Sequence, residues 1–205
     1  MEEVGIDVEV EKKTALLLIL SGPSGVGKDS ICRLLNSRNL NIATAISATT
    51  RKPRPQEKDG VHYYFLSREE FESRQKEGRF LEWAELYGDY YGTLCCEVDR
   101  LFQQGKDIIL EVDTQGAMQL KAACPQGVFI FICPPALADL EQRLFYRNTE
   151  DEETRRLRLA LAERELAQAA FYDYIVVNEH NKLKQTVEKI EAIIAREKSG
   201  GKSFE

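Results

Sequence analysis

Four short apolar runs punctuate the chain, each ended by a turn rich in glycine, proline or polar residues. Ala15–Leu20 runs into Ser21-Gly22-Pro23-Ser24-Gly25, and Asp107–Val112 ends at Asp113-Thr114-Gln115-Gly116. Val128–Ile132 ends at Cys133-Pro134-Pro135, and Tyr174–Val177 ends at Asn178. Apolar runs without alternation predict strands buried on both faces, as a parallel sheet requires. The stretch from Ser30 to Ser37 changes period: Ile31, Leu34 and Leu35 fall at helical spacing. Helices are also expected over Thr114–Ala123, Leu137–Arg147, Asp151–Ala170 and Lys182–Lys198. Strands alternating with helices predict an α/β fold, a three-layer core around a parallel sheet.

Residues 46–96 have a different texture. They are rich in Tyr, Arg and Glu, with turn signals at Pro53, Pro55, Asp59-Gly60, Gly78 and Gly88-Asp89. Short strands over His62–Leu66 and Phe80–Ala84, flanking a helix over Arg68–Glu77, read as a small mixed α+β insert. The expected division is a core of 14–45, 97–135 and 165–198, an insert of 46–96 and a helical lid of 136–164. An acidic leader of 1–13, expected to be weakly ordered, and a tail of 199–205 complete it.

Charge narrows the function. The 205 residues carry a formal net charge of −6, which argues against binding a nucleic-acid polymer through bulk electrostatics. A basic cluster in an acidic chain is then informative, and Arg51-Lys52-Pro53-Arg54 is one. No apolar run is long enough to span a membrane, and the leader lacks the features of a secretory signal. Five cysteines without a Cys-x-x-Cys pair read as reduced thiols. These features point to a cytoplasmic protein, with an organellar form left open; a monomer or small homo-oligomer is the expectation.

Gly22-Pro23-Ser24-Gly25-Val26-Gly27-Lys28 stands directly after the first predicted strand and before the first predicted helix. In that context the glycines let backbone N–H groups turn inward and the helix N-terminus adds its dipole, so the turn cradles nucleotide phosphates. Such a segment is a P-loop, with Lys28 as the cation toward the β- and γ-phosphates. The pattern asks for Ser or Thr next, whose hydroxyl meets magnesium, but Asp29 stands there, followed by Ser30. A carboxylate at Asp29 is a candidate ligand for Mg²⁺, directly or through water.

The rest of the chain resembles the guanylate kinases. The resemblance rests on Ser47-Ala48-Thr49-Thr50-Arg51-Lys52-Pro53-Arg54, then Asp59-Gly60 and Tyr63, Phe80-Leu81-Glu82-Trp83-Ala84, and Asp89-Tyr90-Tyr91-Gly92-Thr93. It continues through Glu111-Val112-Asp113-Thr114-Gln115-Gly116, Arg143-Leu144 with Arg147 and Thr149-Glu150, and Val176-Val177-Asn178. It covers about Leu16 to about Glu197. It implies phosphoryl transfer from MgATP to GMP, with dGMP as a second acceptor. On the ATP side it implies the turn from Gly22 to Ser30, together with Asn178 at the adenine edge. On the GMP side it implies Ser47, Arg51, Arg54, Tyr63, Glu82, Tyr91, Thr93 and Asp113. The chemistry agrees: two arginine forks suit a monophosphate, and a carboxylate accepts the paired N1–H and N2–H₂ donors that guanine has and adenine lacks. Asp113, following a buried strand, could instead serve the metal.

Arginines are also concentrated after Cys133-Pro134-Pro135. By match to the family pattern, Arg143, Arg147 and Arg158 join Lys28 and Arg54 as the cations that stabilise the moving phosphoryl group, delivered when a lid closes. No general base is expected, because a phosphate oxygen of GMP is already an anionic nucleophile. Two other readings stand beside this one. Gly27-Lys28-Asp29-Ser30 resembles the P-loop ending of ribose 1,5-bisphosphate phosphokinases, whose acceptor has no base for Glu82 to read. Guanylate-kinase-like interaction modules resemble the insert but have damaged P-loops.

Overall fold

The computed structural model describes residues 15–39, 41–146 and 152–200. In chain order, the first half contains β1 (Leu17–Ser21), α1 (Lys28–Arg38), β2 (Ile42–Thr44), β3 (Ala48–Thr49), β4 (Tyr64–Phe65), α2 (Arg68–Lys76), β5 (Phe80–Leu86) and β6 (Asp89–Leu94). Then come α3 (Cys95–Gln103), β7 (Asp107–Glu111), α4 (Thr114–Ala123), β8 (Val128–Cys133), α5 (Leu137–Tyr146) and α6 (Glu152–Ala167). A 3-10 turn at Ala169–Phe171, β9 (Tyr174–Val177) and α7 (Leu183–Gly200) close the chain.

The main sheet has the order β2-β7-β1-β8-β9, with every neighbouring pair parallel. The period-two geometry of a strand divides the first apolar run between two layers. Leu16, Leu18 and Leu20 meet Ile31 and Leu35 of α1 and Val187, Ile190 and Ile194 of α7 on one face. Leu17 and Ile19 meet Val98 and Leu101 of α3 and Ala117 and Leu120 of α4 on the other. The expected three-layer α/β core is therefore present, and β1 at its centre delivers the phosphate-binding turn to the sheet's C-terminal edge.

A second sheet, β4-β3-β6-β5, is built from residues 48–94. Its small core is Ala48, Phe71 and Leu94, with Phe71 stacked on Phe80 at 4.2 Å and on Tyr90 at 5.2 Å between centroids. A capping box between Ser67 and Glu70 starts α2 and holds Phe71 in register.

Several elements differ from the sequence reading. β2, β3, β6 and α3 were not anticipated: the first two are too short for a periodic signal, and β6 carries a glycine and two tyrosines beside a turn. β9 is not buried on both faces, for it is the sheet's edge and Ile175 is exposed. α6 stops at Ala167, and α7 continues to Gly200, into the segment expected to be tail. The acidic leader lies outside the described residues. Among the described residues no helix is long and apolar enough to cross a membrane.

Candidate active site

The turn after β1 is shaped by backbone that only glycine supplies. At Gly22, φ is +141°, and a Cβ would lie 2.1 Å from the Ile132 carbonyl oxygen of β8. Gly27, at φ +104°, caps α1 without a side-chain hydrogen bond, which leaves the first-turn N–H groups for an anion. Lys28 folds back over the turn, its Nζ donating to Gly22 O at 2.5 Å and to Pro23 O at 3.3 Å.

Two predicted residues brace the turn from behind. The Nδ2 of Asn178 donates to Val26 O at 2.8 Å, and its Oδ1 accepts from the Thr186 hydroxyl at 2.9 Å. Arg143 donates from Nη1 to Val26 O at 3.0 Å and from Nη2 to Asn178 O at 2.7 Å. Neither side chain lines the cavity in this conformation. A buried amide and a guanidinium are first used to satisfy loop carbonyls, a role that the linear motif does not reveal.

Across the cleft, the predicted acceptor residues come from a loop and two strands. Arg51 is held by Glu57, Nη2 to Oε1 at 2.9 Å, while the Arg54 N–H donates to Glu57 Oε2 at 2.7 Å. Arg51 lies 5.4 Å from the Tyr63 ring centroid, and Tyr63 meets Tyr91 edge to face at 6.2 Å. Burial works against the Arg51 charge, but the bonds from Glu57 and Tyr91 hold its pKa above the ordinary value. Burial pushes the Tyr63 hydroxyl up to about 12, so it remains a donor. Arg54 is exposed at the cavity rim.

The carboxylate expected to read the base is deeply buried. Glu82 is 5% exposed, and its Oε1 accepts from the Thr93 hydroxyl at 2.7 Å. A β-bulge between Phe80 and Glu82 changes the register of β5 against β6, so that Glu82 faces Thr93. Burial raises its pKa to about 7; the Thr93 bond opposes the shift and Asp113 adds to it. Asp113 caps α4 by accepting from Gly116 N at 2.8 Å. A Cβ on Gly116 would stand 2.4 Å from Glu82 Oε2 and 3.2 Å from Asp113 Oδ1, so this glycine lets the two carboxylates converge.

One cavity of about 950 Å³ joins the two sides. It is lined by Gly22, Ser24, Gly25, Gly27, Lys28, Asp29 and Ser30, and by Arg51, Arg54, Tyr63, Glu82, Tyr91 and Asp113. Pro23, Val26, Ser47 and Thr93 stand behind this lining. Arg147 and the side chain of Arg158 lie outside the described residues.

Sequence reasoning missed three acids here. Glu57 organises Arg51 and Arg54, six and three residues away in a loop where spacing carries no geometric message. Glu111, at the end of β7, faces Lys28; burial raises its pKa, Lys28 opposes that, and Asp29 adds to it. Its position two residues before Asp113 in an extended strand was a readable signal. Glu165 reaches the cavity from α6 and had no local signal. Asp29 itself is exposed and pairs with Arg33 at 2.6 Å. Among the described residues no group of three His, Cys, Asp or Glu side chains could hold a metal directly.

A family model described as guanylate kinase matches residues 14–197. The guanylate kinase of Desulfitobacterium hafniense (strain Y51) is 48% identical over 189 residues, which cover 92% of this chain and 94% of that protein. That of Halalkalibacterium halodurans is 46% identical over 188 residues, 92% and 91% of the two chains. The crystal structure of guanylate kinase from Anaplasma phagocytophilum superposes with a TM-score of 0.73 at 31% identity, covering 91% of this chain and 87% of that one.

Proposed function

The chain belongs to the guanylate kinase family, and on that premise we propose that its cleft transfers the terminal phosphoryl group of ATP to GMP through the residues just described. The observation that carries the assignment is the sharing of one cavity by Lys28 and by Glu82 with Arg51. A phosphate cradle alone would name any nucleotide; a buried carboxylate opposite it, beside a pair of arginines, selects a guanine monophosphate.

ATP lies with its phosphates on the N–H groups from Gly22 to Ser30, and Lys28 meets the β- and γ-phosphates. Asn178 and Arg143 keep that turn in place. GMP sets its phosphate on Arg51, Arg54, Tyr63 and Tyr91 and its N1–H and N2–H₂ against Glu82, with Asp113, Ser47 and Thr93 completing the base pocket. Guanine's donors then stabilise the ionised form of Glu82 that burial disfavours. The GMP phosphate oxygen forms its bond to Pγ as the bond from Pγ to the bridging oxygen of ADP breaks. The cleft supplies position and positive charge, and no proton has to be removed from the nucleophile.

Mg²⁺ fits the oxygen donors present if it is held largely through water, as this ion prefers. Ser30 and Glu111 are the residues placed to hold that water shell, and the ion would neutralise triphosphate charge. Asp29 is the outer partner, since its carboxylate is engaged by Arg33. dGMP is the second acceptor; the setting is the cytoplasm, for a monomer or small homo-oligomer.

The test is ADP release with GMP, dGMP, AMP, UMP and CMP as acceptors. GMP should be used first by a wide margin. Equal use of AMP would overturn the reading of Glu82, and phosphorylation of a ribose bisphosphate in place of GMP would overturn the reaction.

A further inference from the structure

The insert meets the core at two chain crossings, and one buried carboxylate bonds across both. The chain enters the insert at residues 45–47, between β2 and β3, and leaves it where β6 passes directly into α3. Glu97 stands in the first turn of α3 and is 2% exposed. Its Oε1 accepts from the backbone N–H of Ile46 at 3.1 Å, and its Oε2 accepts from the Tyr64 hydroxyl at 3.1 Å. Arg100, one turn further along α3, closes the set: Nη2 donates to Oε1 at 2.8 Å and Nε to Oε2 at 3.0 Å. Burial works against the Glu97 charge, but the bonds from Arg100 and Ile46 outweigh it and hold the carboxyl below its ordinary value.

A buried ion pair is weak evidence for stability, since well-packed apolar residues often replace one without loss. The functional meaning lies in the partners of Glu97. Ile46 lines the cavity and directly precedes Ser47, which is assigned to the base. Tyr64 directly follows Tyr63, which is assigned to the GMP phosphate. Successive side chains of an extended segment point to opposite faces, so Tyr64 directed at Glu97 leaves Tyr63 directed into the cavity whose wall it forms. The Tyr64 N–H also donates to Ser47 O at 2.9 Å, which joins the two segments to each other. On its other side α3 is fixed to the core, where Val98 and Leu101 pack with Leu17, Ile108 and Leu110. Glu97 therefore ties the base-facing and phosphate-facing segments of the acceptor half to a helix seated on the main sheet.

We propose that Glu97 is a positioning residue for GMP, whose carboxylate holds the Ile46–Ser47 and Tyr63–Tyr64 segments so that one nucleotide engages base and phosphate contacts at once. It touches neither substrate. The inference rests on the acceptor assignment above. A mononucleotide that must reach both segments binds weakly when either is free to shift, because ordering them then opposes binding.

The experiment measures KM for GMP, KM for MgATP and kcat for the parent, Glu97→Gln, Tyr64→Phe, the double variant and Glu82→Gln. In Glu97→Gln an amide of nearly the same shape replaces the carboxylate, and its N–H₂ group turns donors toward the donors of Arg100. KM for GMP should rise about tenfold, with KM for MgATP and kcat at saturation within about twofold of the parent. Tyr64→Phe removes one bond and should raise KM for GMP about threefold. The double variant should be no weaker than Glu97→Gln, because Tyr64 acts through that carboxylate. An unchanged KM for GMP in Glu97→Gln, an equal rise in both KM values, additive effects in the double variant, or a change confined to melting temperature would overturn the proposal. If Glu97→Gln does not fold, Tyr64→Phe decides alone, and the parent's KM for GMP in that variant overturns it. Glu82→Gln separates this failure from failure of the underlying assignment. If it too kept the parent's KM for GMP, the acceptor site as a whole would be rejected; if its KM rose while that of Glu97→Gln did not, only the role of Glu97 would be.

Discussion

Under the proposed assignment, the two halves of the cleft recognise phosphate by different means. On the donor half the ligands are backbone N–H groups, set by Gly22 and Gly27 and supported by Asn178 and Arg143. On the acceptor half they are side chains, Arg51 steered by Glu57 and Tyr63 beside Tyr91 for the phosphate, with Glu82 held by Thr93 for the base. Backbone is the same for every residue type, so the donor half reads the presence of phosphates and little else. Side chains discriminate, but they must be kept charged and oriented in a partly dry pocket. The Glu82 pKa of about 7 records that burden in the ligand-free protein.

The contrast can be broken most severely at Lys28, the side chain assigned to the β- and γ-phosphates. Lys28→Ala should lower kcat by about 10³-fold, as loss of a preorganised transition-state donor does. GMP binding, measured by calorimetry without ATP, should persist. If GMP binding vanished as well, the two halves would not be separable.

Glu82→Gln should act on the other half alone and in two directions. Turnover with GMP should fall by about 10²-fold in kcat/KM, the loss of a charged hydrogen-bond acceptor for two donors. Stability should move the opposite way. The native state holds a proton on Glu82 up to about pH 7, whereas the unfolded chain releases it near 4.5, so stability declines as pH rises across that window. At pH 8 the ligand-free parent therefore carries a penalty of roughly 3 kcal/mol from this group that the glutamine variant lacks. The melting temperature of ligand-free Glu82→Gln at pH 8 should exceed the parent's, and the difference should vanish by about pH 4.5. A lower melting temperature at both pH values would show that the carboxylate stabilises the apo fold.

Asp29→Ser should have the smallest effect, although it alters the most irregular residue of the P-loop. Asp29 is exposed and its partner is Arg33, an i,i+4 pair of the kind that contributes about 0.3–0.5 kcal/mol. Stability should change by no more than that, and the KM for MgATP by less than about threefold. A larger change in the Mg²⁺ dependence would make Asp29 a metal ligand after all.

The donor site was legible almost residue by residue because it is local: a strand, a glycine turn and a helix start within about a dozen consecutive positions. The acceptor residues were legible as types in order, and the cavity does bring Arg51, Arg54, Tyr63, Glu82, Tyr91 and Asp113 together. Glu57 and Glu165 were not legible: Glu57 acquires meaning from the arginines that loop geometry places beside it, and Glu165 from a cavity that distant elements enclose. Asn178 and Arg143 were found by pattern, but their bonds to Val26 O show that the pattern did not disclose what they do locally. Phe71 and Phe80, unremarkable in the sequence, form the stacked centre of the insert.

Sequence alone determined the α/β layering, the phosphate turn and the chemical types that face the acceptor, because those depend on periodicity and on short-range backbone geometry. Tertiary structure decided which acids sit in water and which are buried. Asp29, conspicuous in the motif, is solvated and paired, while Glu82 and Glu165 lie in a cavity that only the assembled sheet, insert and helix create. The physical reason is that desolvation and electrostatic coupling depend on everything that surrounds a group, most of which is distant in the chain.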